Sequence, residues 1–369
     1  MPADLLIWSP LALPAFLFVI TIVVFFHELG HFSMARACGI AVQAFSIGFG
    51  PELAGWTDRK GTRWKICLLP VGGYVKFAGD ADAASRPDED ELRKMEPSRR
   101  ASILHFKPLY QRALVVAAGP IANFILGIAI FSLVYMALGK VSEAPIVGDV
   151  QPDKAAAEAG FQPDDLIRSV DGQPVATFDD LQRIVTGSGG STLHIVLMRD
   201  GREMTIDAAP RLQDEVDASG QTVQVARLGI ERAFDSVGPL EAIGLGAGQT
   251  WFIVERTLGY LGQIVIGQAR PDQVAGPLGI LQLSGAVATF GFLTLLALAA
   301  HLSVSIGLIN LFPIPVLDGG HLLYYAFEAV LGRPLGERAQ EIGFRLGLAF
   351  VLSLFLLATF NDLVRFNLF

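Results

Sequence analysis

The sequence has few charged residues and few cysteines. Asp, Glu, Lys and Arg make up 17% of its 369 residues, below the roughly 25% that is typical of soluble domains. The net charge is −8, which argues against a nucleic-acid-binding protein, and no nucleic-acid partner is expected. Cys38 and Cys67 lack the spacing of a metal site, and both fall in a segment assigned below to the cytoplasm, where thiols stay reduced.

The N-terminus has no lysine or arginine before its first apolar run. That run, Leu11–Phe26, is therefore expected to be a retained membrane segment and not a cleaved signal peptide. Because a helix needs roughly 20 apolar residues to cross a bilayer, further long apolar stretches are read as spans. The four predicted spans cover about residues 9–37, 113–138, 286–309 and 341–362. The sequence predicts an α-helical polytopic membrane protein with about four transmembrane helices.

The first span ends in an H-E-x-x-H pattern. Positions four apart lie on one face of a helix, so His27 and His31 can bind one zinc ion and Glu28 can act as general base on water. Polar groups at membrane depth are costly and call for a function. The alternative is a pair of buried histidines bonded to neighbouring helices. Asn123, in the second span, is interpreted as a hydrogen-bonding contact between helices rather than as a catalytic group.

A second polar motif interrupts the late apolar region. It contains Asn310, Pro313, Pro315 and Asp318. Two prolines break a helix, which at membrane depth is tolerated only where protein or a water-filled cavity surrounds the backbone. A catalytic zinc usually has three protein ligands, and Asp318 is the candidate for the third. His301 and His321 are its rivals.

The region between the second and third spans is acid-rich and has short apolar runs. Leu193–Arg199 followed by Asp200-Gly201 predicts a strand that enters a hairpin turn. Phe178–Val185 predicts a short amphipathic helix. Val150–Ile167 and the elements after it resemble the bacterial PDZ domain. The sequence thus predicts one inserted α+β PDZ domain.

Two further segments have ambiguous patterns. Trp64–Phe77 contains two apolar runs around Pro70-Val71-Gly72-Gly73 and predicts a β-hairpin. Its apolar content suits a membrane-associated hairpin shielded by protein, and an ordinary hairpin of a soluble domain is the alternative. Residues 236–285 predict an amphipathic region at the membrane surface, with a fifth span at 250–267 as the alternative.

Basic residues near the span ends predict the orientation. They are Arg36, Arg99, Arg100, Lys107, Arg112, Arg333, Arg338 and Arg345. Both loops that they flank are expected in the cytoplasm, with the PDZ domain outside and the histidines toward the cytoplasmic end of their helix. Arg365 is a minor contrary signal. The predicted segments are the first span with H-E-x-x-H (1–37), the cytoplasmic loop with the hairpin (38–112), the second span (113–138), the PDZ domain (141–235), the surface region (236–285) and the last two spans (286–369).

Together these motifs resemble the site-2 protease family of intramembrane zinc metalloproteases, in its bacterial regulator-of-sigma-E protease branch. The resemblance rests on H-E-x-x-H in a first span, N-x-x-P-x-P-x-L-D-G in a late span, and a PDZ domain between them. It implies that Zn²⁺ is held at His27, His31 and Asp318 and that Glu28 activates water. Substrate handling is implied for Asn310, Pro313, Pro315, Gly72 and Gly73. The branch carries two PDZ domains, whereas one is found here.

The resemblance also implies a function and a location. The expected reaction is hydrolysis of peptide bonds within or near transmembrane segments, in the bacterial inner membrane with a periplasmic PDZ domain. Expected substrates are single-span membrane proteins such as an anti-sigma factor, or signal peptide remnants. The PDZ domain is expected to contact the external part or the new C-terminus of the substrate. The rival functions are a membrane metal transporter, which would not need Glu28, and a non-catalytic PDZ scaffold, which would leave the metal triad unexplained.

Overall fold

The structure is a computed structural model that describes residues 9–80, 96–216, 222–269 and 275–366. The described helices are α1 (Ala12–Ala37), α2 (Pro97–Arg100), α3 (Leu109–Leu138), α4 (Ala155–Ala159), α5 (Phe178–Gly187), α6 (Pro239–Val265), α7 (Pro277–Ala288), α8 (Phe292–Asn310), α9 (Asp318–Leu331) and α10 (Glu337–Arg365). The chain divides into two compact units, Tyr135–Glu241 and the remainder. Each unit has its own buried core.

The described strands fall in two regions of the chain. They are β1 (Val42–Thr57), β2 (Arg63–Phe77), β3 (Lys140–Val141), β4 (Val147–Val150), β5 (Leu166–Val170), β6 (Gln173–Pro174), β7 (Leu193–Arg199), β8 (Arg202–Ala208), β9 (Arg211–Val216), β10 (Thr222–Arg227), β11 (Ile230–Arg232) and β12 (Phe234–Asp235). The first two belong to the membrane unit, and the other ten belong to the second unit.

Four of the described helices are long and apolar enough to cross a membrane. They are α1, α3, α8 and the part of α10 from Arg338. Their most apolar windows have mean hydropathies between 2.0 and 2.3. The structure thus has the four long apolar helices that the sequence predicts. The amphipathic α6, which carries Glu255 and Arg256, is not among the candidate spans, and the sequence alternative of a fifth span therefore gains no support.

The first helix, α1, packs closely on two other spans. Its N-terminal half buries Ala15 and Val19 against Leu295 of α8. Its C-terminal half crosses α3 so closely that a methyl group at Gly30 would overlap the carbonyl oxygen of Ala118. Small residues permit such close crossings between membrane helices. The crossing brings the H-E-x-x-H segment against α3.

β1 and β2 form an antiparallel sheet in which both strands bend. Phe45 of β1 pairs with Val75 and also with Trp64, so β1 lies between the two halves of β2. The prediction that the two arms of 64–77 pair with each other is therefore wrong. Residues 44–47 of β1 pair with 63–66 in rising order and with 76–73 in falling order, so the chain reverses between the two arms of β2. Gly72, with φ 127°, lies in that reversal. The hairpin that does form joins β1 to β2, because each arm finds its partner in the preceding strand.

Aromatic side chains fix this sheet to α1. The Phe45 ring, almost fully buried, lies 5.8 Å from the Phe25 ring and 5.5 Å from the Phe32 ring, measured between centroids. Edge-on ring pairs at this spacing are favourable beyond their buried area. Because Phe25 and Phe32 flank the H-E-x-x-H segment on α1, the cluster holds the sheet beside that segment.

The second unit is built on an antiparallel sheet with strand order β6-β5-β7-β8. Asp200 and Gly201, with φ 50° and 75°, form the turn between β7 and β8, which confirms the predicted strand and hairpin turn. The helix α5 buries Phe178, Leu181 and Val185 in the core.

The amphipathic helix predicted at 178–185 is also confirmed, and α5 continues to Gly187. A capping box begins it, because the Thr177 side chain accepts from the Asp180 amide and the Asp180 carboxylate accepts from the Thr177 amide. The hydrogen bonds from Thr177, together with one from Arg183, hold the pKa of Asp180 below its usual range.

Candidate active site

The C-terminal half of α1 and the start of α9 bring three metal-binding side chains together. The Nε2 atoms of His27 and His31 lie 3.2 Å apart. Asp318 Oδ2 lies 3.3 Å from His27 Nε2 and 3.5 Å from His31 Nε2. Within the described chain, these residues form the group of ligand-type side chains that could hold a metal ion. The side chains that the sequence singled out as a ligand set are thus adjacent.

The spacing of the three atoms suits a zinc ion. A tetrahedral zinc with N and O ligands at about 2.0–2.1 Å separates those ligand atoms by about 3.3–3.4 Å, close to the three distances above. Asp318 Oδ2 is also buried and has no hydrogen-bond partner among the described residues. A buried carboxylate oxygen without a partner is costly, and a cation between it and the two imidazoles would satisfy it. The residues present therefore fit zinc.

The helix α3 supports the two imidazole rings from behind. His31 Nδ1 lies 2.8 Å from the carbonyl oxygen of Val115, and His27 Nδ1 lies 3.2 Å from the Asn123 side-chain amide. A methyl group at Gly119 would fall on the His31 ring, so only glycine leaves room for that ring against α3. Asn123 of α3 contacts His27 of α1, as predicted for a hydrogen-bonding contact between helices. Because His27 is one of the three clustered side chains, this contact also reaches the metal cluster.

The third member of the cluster follows a strained loop. The helix α8 ends at Asn310 and α9 begins at Asp318. Between them Val316 has φ 109°, a conformation that is a genuine outlier for a β-branched residue. Such strain persists only where the surroundings impose it, and it concentrates at functional sites. One neighbour is α10, where a methyl group at Gly347 would overlap the Pro315 carbonyl.

A cavity of about 710 Å³ opens beside the cluster. Its lining includes His27, Glu28, His31, Asp318, Asn310 and Gly73. Gly73 lies against Glu28, since a Cβ placed on Gly73 would be 3.5 Å from Glu28 Cγ. The cavity is therefore bordered by the H-E-x-x-H helix, the end of α8 and residues 73–77, which are called the inner arm of β2 below.

The other residues singled out from the sequence lie around this cavity. Gly72 packs beside the Phe49 ring, Pro315 packs under α10, and Pro313 is exposed. None of these three lines the cavity as described. Of the rival ligands, His321 lines the cavity but stands outside the three-residue cluster, and His301 belongs to neither.

The cavity wall contains polar groups that were not predicted from the sequence. The Arg112 guanidinium is hydrogen-bonded to the Glu328 carboxylate and stacks over the Tyr325 ring at 5.0 Å. His105 Nε2 lies 3.0 Å from Asp80 Oδ1. From the sequence, Arg112 was interpreted only as a signal for membrane orientation. No local pattern could pair it with Glu328, which is 216 residues further along the chain.

The chain is similar to known proteins over nearly its whole length. Residues 15–354 match peptidase family M50. A Rhizobium meliloti protein provisionally named a zinc metalloprotease is 47% identical over 95% of this chain and 96% of its own. A Mesorhizobium japonicum protein with the same kind of name is 44% identical over 94% of this chain and 97% of its own. The metalloprotease MmpA of Caulobacter vibrioides is 41% identical over 97% and 96%.

A solved PDZ domain from a Listeria monocytogenes protein aligns with 24% of this chain and 84% of its own, at 22% identity and a TM-score of 0.19. So low a score carries no argument about the fold. The full-length relatives and the family match confirm the predicted protease and favour it over the transporter and the scaffold. The chain belongs to peptidase family M50 and is an intramembrane zinc metalloprotease.

Proposed function

We propose that His27, His31 and Asp318 hold the catalytic zinc and that Glu28 activates the hydrolytic water. The observation that carries this assignment is the set of three ligand atoms separated by 3.2, 3.3 and 3.5 Å. Glu28 follows His27 directly, lines the same cavity and stands outside the ligand cluster. That placement suits a base that acts on water and leaves the metal to the other three side chains.

Zinc, when bound, supplies Lewis acidity to the scissile carbonyl and acidifies a water molecule. The Glu28 carboxylate would take a proton from the attacking water as general base and give it to the leaving amine as general acid. His27 and His31 bind as neutral imidazoles, and their Nδ1 atoms are engaged by α3. Gly73 packs closely on β1, because a Cβ there would lie 2.6 Å from the Ser46 carbonyl oxygen, and this close packing keeps the backbone of Gly73 beside Glu28.

The inner arm of β2 is the proposed substrate platform. Gly73, Tyr74 and Val75 line the catalytic cavity, and β1 pairs with one edge of this arm. Among the described residues, no strand pairs with its other edge. A substrate helix must unwind before hydrolysis because its amides are hydrogen-bonded within the helix. An unwound segment can then add to the free edge as a strand, and Asn310, Val316 and Leu317 line the same cavity.

The proposed substrates are single-span membrane proteins, such as an anti-sigma factor, and signal peptide remnants. A cavity between membrane-spanning helices suits a substrate that arrives within the bilayer. The proposed location is the bacterial inner membrane, since the apolar helices and the family membership fit a membrane-embedded protein. The distribution of lysine and arginine supports an orientation with their loops in the cytoplasm. These are the loops at 38–112 and after the third span, and residues 141–235 are then in the periplasm.

Residues 141–235 are proposed to be a PDZ domain that controls access. A groove of about 300 Å³ runs between α5 and the segment 226–232 of β10 and β11. Its floor is apolar, with Phe178, Leu181 and Val185 from the helix and Ile230 from the strand. PDZ domains bind C-terminal peptides by strand addition in a groove between a helix and a strand edge. Such a groove would read a newly exposed C-terminus, whereas the bulk of the domain would exclude untrimmed substrates.

The test uses the purified full-length protein in detergent and a single-span model substrate. Cleavage is expected to be lost when a chelator removes zinc and to return when zinc is restored. Mass spectrometry of the products should place the cut within or near the transmembrane segment. Cleavage that survives complete zinc removal would contradict the proposed mechanism.

A further inference from the structure

The His27 ring uses its two nitrogens in different directions. Nε2 faces His31 and Asp318 in the metal cluster. Nδ1 faces the Asn123 side-chain amide at 3.2 Å. Asn123 is fully buried, with 0% exposure, and its Oδ1 has no hydrogen-bond partner among the described residues. The ligand ring and a buried amide with an unsatisfied oxygen are therefore in direct contact.

Zinc ligation decides which amide atom must face the ring. An imidazole that binds metal through Nε2 carries its proton on Nδ1 and needs an acceptor there. The amide nitrogen, a donor, cannot serve a protonated Nδ1. The oxygen and nitrogen of an asparagine amide have the same shape, and the hydrogen-bond network assigns them. With the amide turned by 180°, Oδ1 accepts from Nδ1 and loses its unsatisfied state.

His31 provides a parallel on the same helix. Its Nδ1 lies 2.8 Å from the Val115 carbonyl oxygen, which can act only as an acceptor. Val115 and Asn123 are eight residues apart on α3, a little over two helical turns, while the histidines are one turn apart on α1. The same helix thus presents one acceptor to each ligand ring, a backbone carbonyl for His31 and a side chain for His27.

Asn123 is itself held in place by a third helix. Its backbone carbonyl accepts a hydrogen bond of 2.9 Å from the Ser303 hydroxyl of α8. Gly307 of α8 packs against its side chain, since a Cβ there would lie 3.0 Å from Asn123 Cβ. These contacts with α8 hold the backbone and Cβ of Asn123, from which the amide reaches the His27 ring.

We propose that Asn123 is a positioning residue that accepts the Nδ1 proton of His27, and so fixes the tautomer and the ring plane in which Nε2 binds zinc. This inference rests on the proposed zinc assignment. Partners that orient metal-bound histidines typically contribute about 10- to 100-fold to metal affinity. The contribution of Asn123 to zinc affinity can be measured apart from catalysis, because it does not depend on the presence of substrate.

The test measures zinc affinity of the full-length protein by competition with a chromophoric chelator. Asn123→Leu removes the acceptor at similar volume and should weaken zinc binding by about 10- to 100-fold. Asn123→Asp offers acceptors only and should bind zinc within about 3-fold of the unmodified protein, because a carboxylate serves the same Nδ1 proton. Ser132→Ala removes another buried hydroxyl of α3, whose hydrogen bond goes to the Ile128 carbonyl oxygen of the same helix, and is the matched control with unchanged affinity.

Two results would overturn the inference. One is an Asn123→Leu protein with unchanged zinc affinity. The other is an Asn123→Asp protein that binds zinc at least 10-fold more weakly, because this would mean that the amide donates a hydrogen bond to His27. The aspartate variant tests the inference even if the leucine variant fails to fold. His27→Ala separates the two levels of the argument. If it leaves zinc affinity unchanged, the ligand assignment itself fails.

Discussion

Arg112 and Glu328, 216 residues apart in sequence, form a two-pronged hydrogen-bonded ion pair with N–O distances of 3.0 and 2.5 Å. Arg112 stands near the start of α3, which supports both histidines. Glu328 belongs to α9, which begins with Asp318. Both side chains are mostly buried, 15% and 17% exposed. The pair therefore ties the helix that carries one proposed ligand to the helix that orients the other two.

Breaking this pair should destabilise the protein and loosen the metal cluster. Arg112→Met leaves the Glu328 carboxylate without its partner, which should cost about 1.5–3 kcal/mol. The melting temperature and the zinc affinity should fall together. Arg345→Met is the control, because it breaks an exposed pair with Glu341 that is expected to contribute under about 1 kcal/mol. Equal effects of the two substitutions would contradict a role for Arg112 in holding the site.

Glu28→Gln should separate catalysis from metal binding. The amide keeps the shape of the side chain but cannot take a proton from water, so the cleavage rate should fall by about 10²- to 10⁴-fold. The zinc content measured by metal analysis should not change, because Glu28 is outside the ligand cluster. Glu255→Gln on α6 should change neither quantity. Retained proteolysis by the purified Glu28→Gln protein would remove Glu28 from its role.

Asp318→Ala should remove both activity and most of the bound zinc. The substitution deletes one of three converging ligands. The loss of zinc affinity should therefore exceed the roughly 10- to 100-fold effect of removing a residue that only orients a ligand. His301→Ala should keep its zinc, since His301 stands outside the cluster. Metal analysis of both purified variants is the measurement. The reverse pattern would make His301 the ligand.

The proposed topology can be read from residues on either side of the membrane. Cys38 is partly accessible and Cys67 is buried, so a membrane-impermeant maleimide should label Cys38 only when it reaches the cytoplasmic side. Cys38→Ser should abolish that labelling. A reporter that is active only outside the cytoplasm should be active when fused near residue 200. Cytoplasmic activity of that fusion would reverse the orientation.

The groove beside α5 distinguishes docking from size exclusion. Thr186 lines this groove, and Thr186→Trp should fill it without changing the bulk of the domain. If the domain docks a trimmed C-terminus, the KM for trimmed substrate should rise while kcat is kept. Arg183→Trp, on the same helix but outside the groove lining, should leave the KM unchanged.

Removal of residues 145–210 tests the filter. The shortened protein should then cleave untrimmed substrate that the full chain refuses. A folded, zinc-loaded deletion variant with unchanged rates on both trimmed and untrimmed substrate would contradict both docking and exclusion.

The sequence by itself determined the spans and the chemistry of α1. A long uncharged run can satisfy its backbone only as a helix in a bilayer, and positions four apart on that helix share a face. His27, Glu28 and His31 were therefore available from spacing alone. Asp318 was available as the acidic group after a helix broken by two prolines, although local pattern could not exclude His301 or His321.

Tertiary structure decided which groups meet. The pairing of both arms of β2 with β1 was mispredicted, because the turn signal at 70–73 is local whereas the strand partner is not. The contacts of His27 with Asn123, and of Arg112 with Glu328, depend on helices from distant parts of the chain crossing at close range. The strain at Val316 likewise exists only because packed neighbours impose it. Periodicity fixes the face of a helix, and only packing fixes what that face touches.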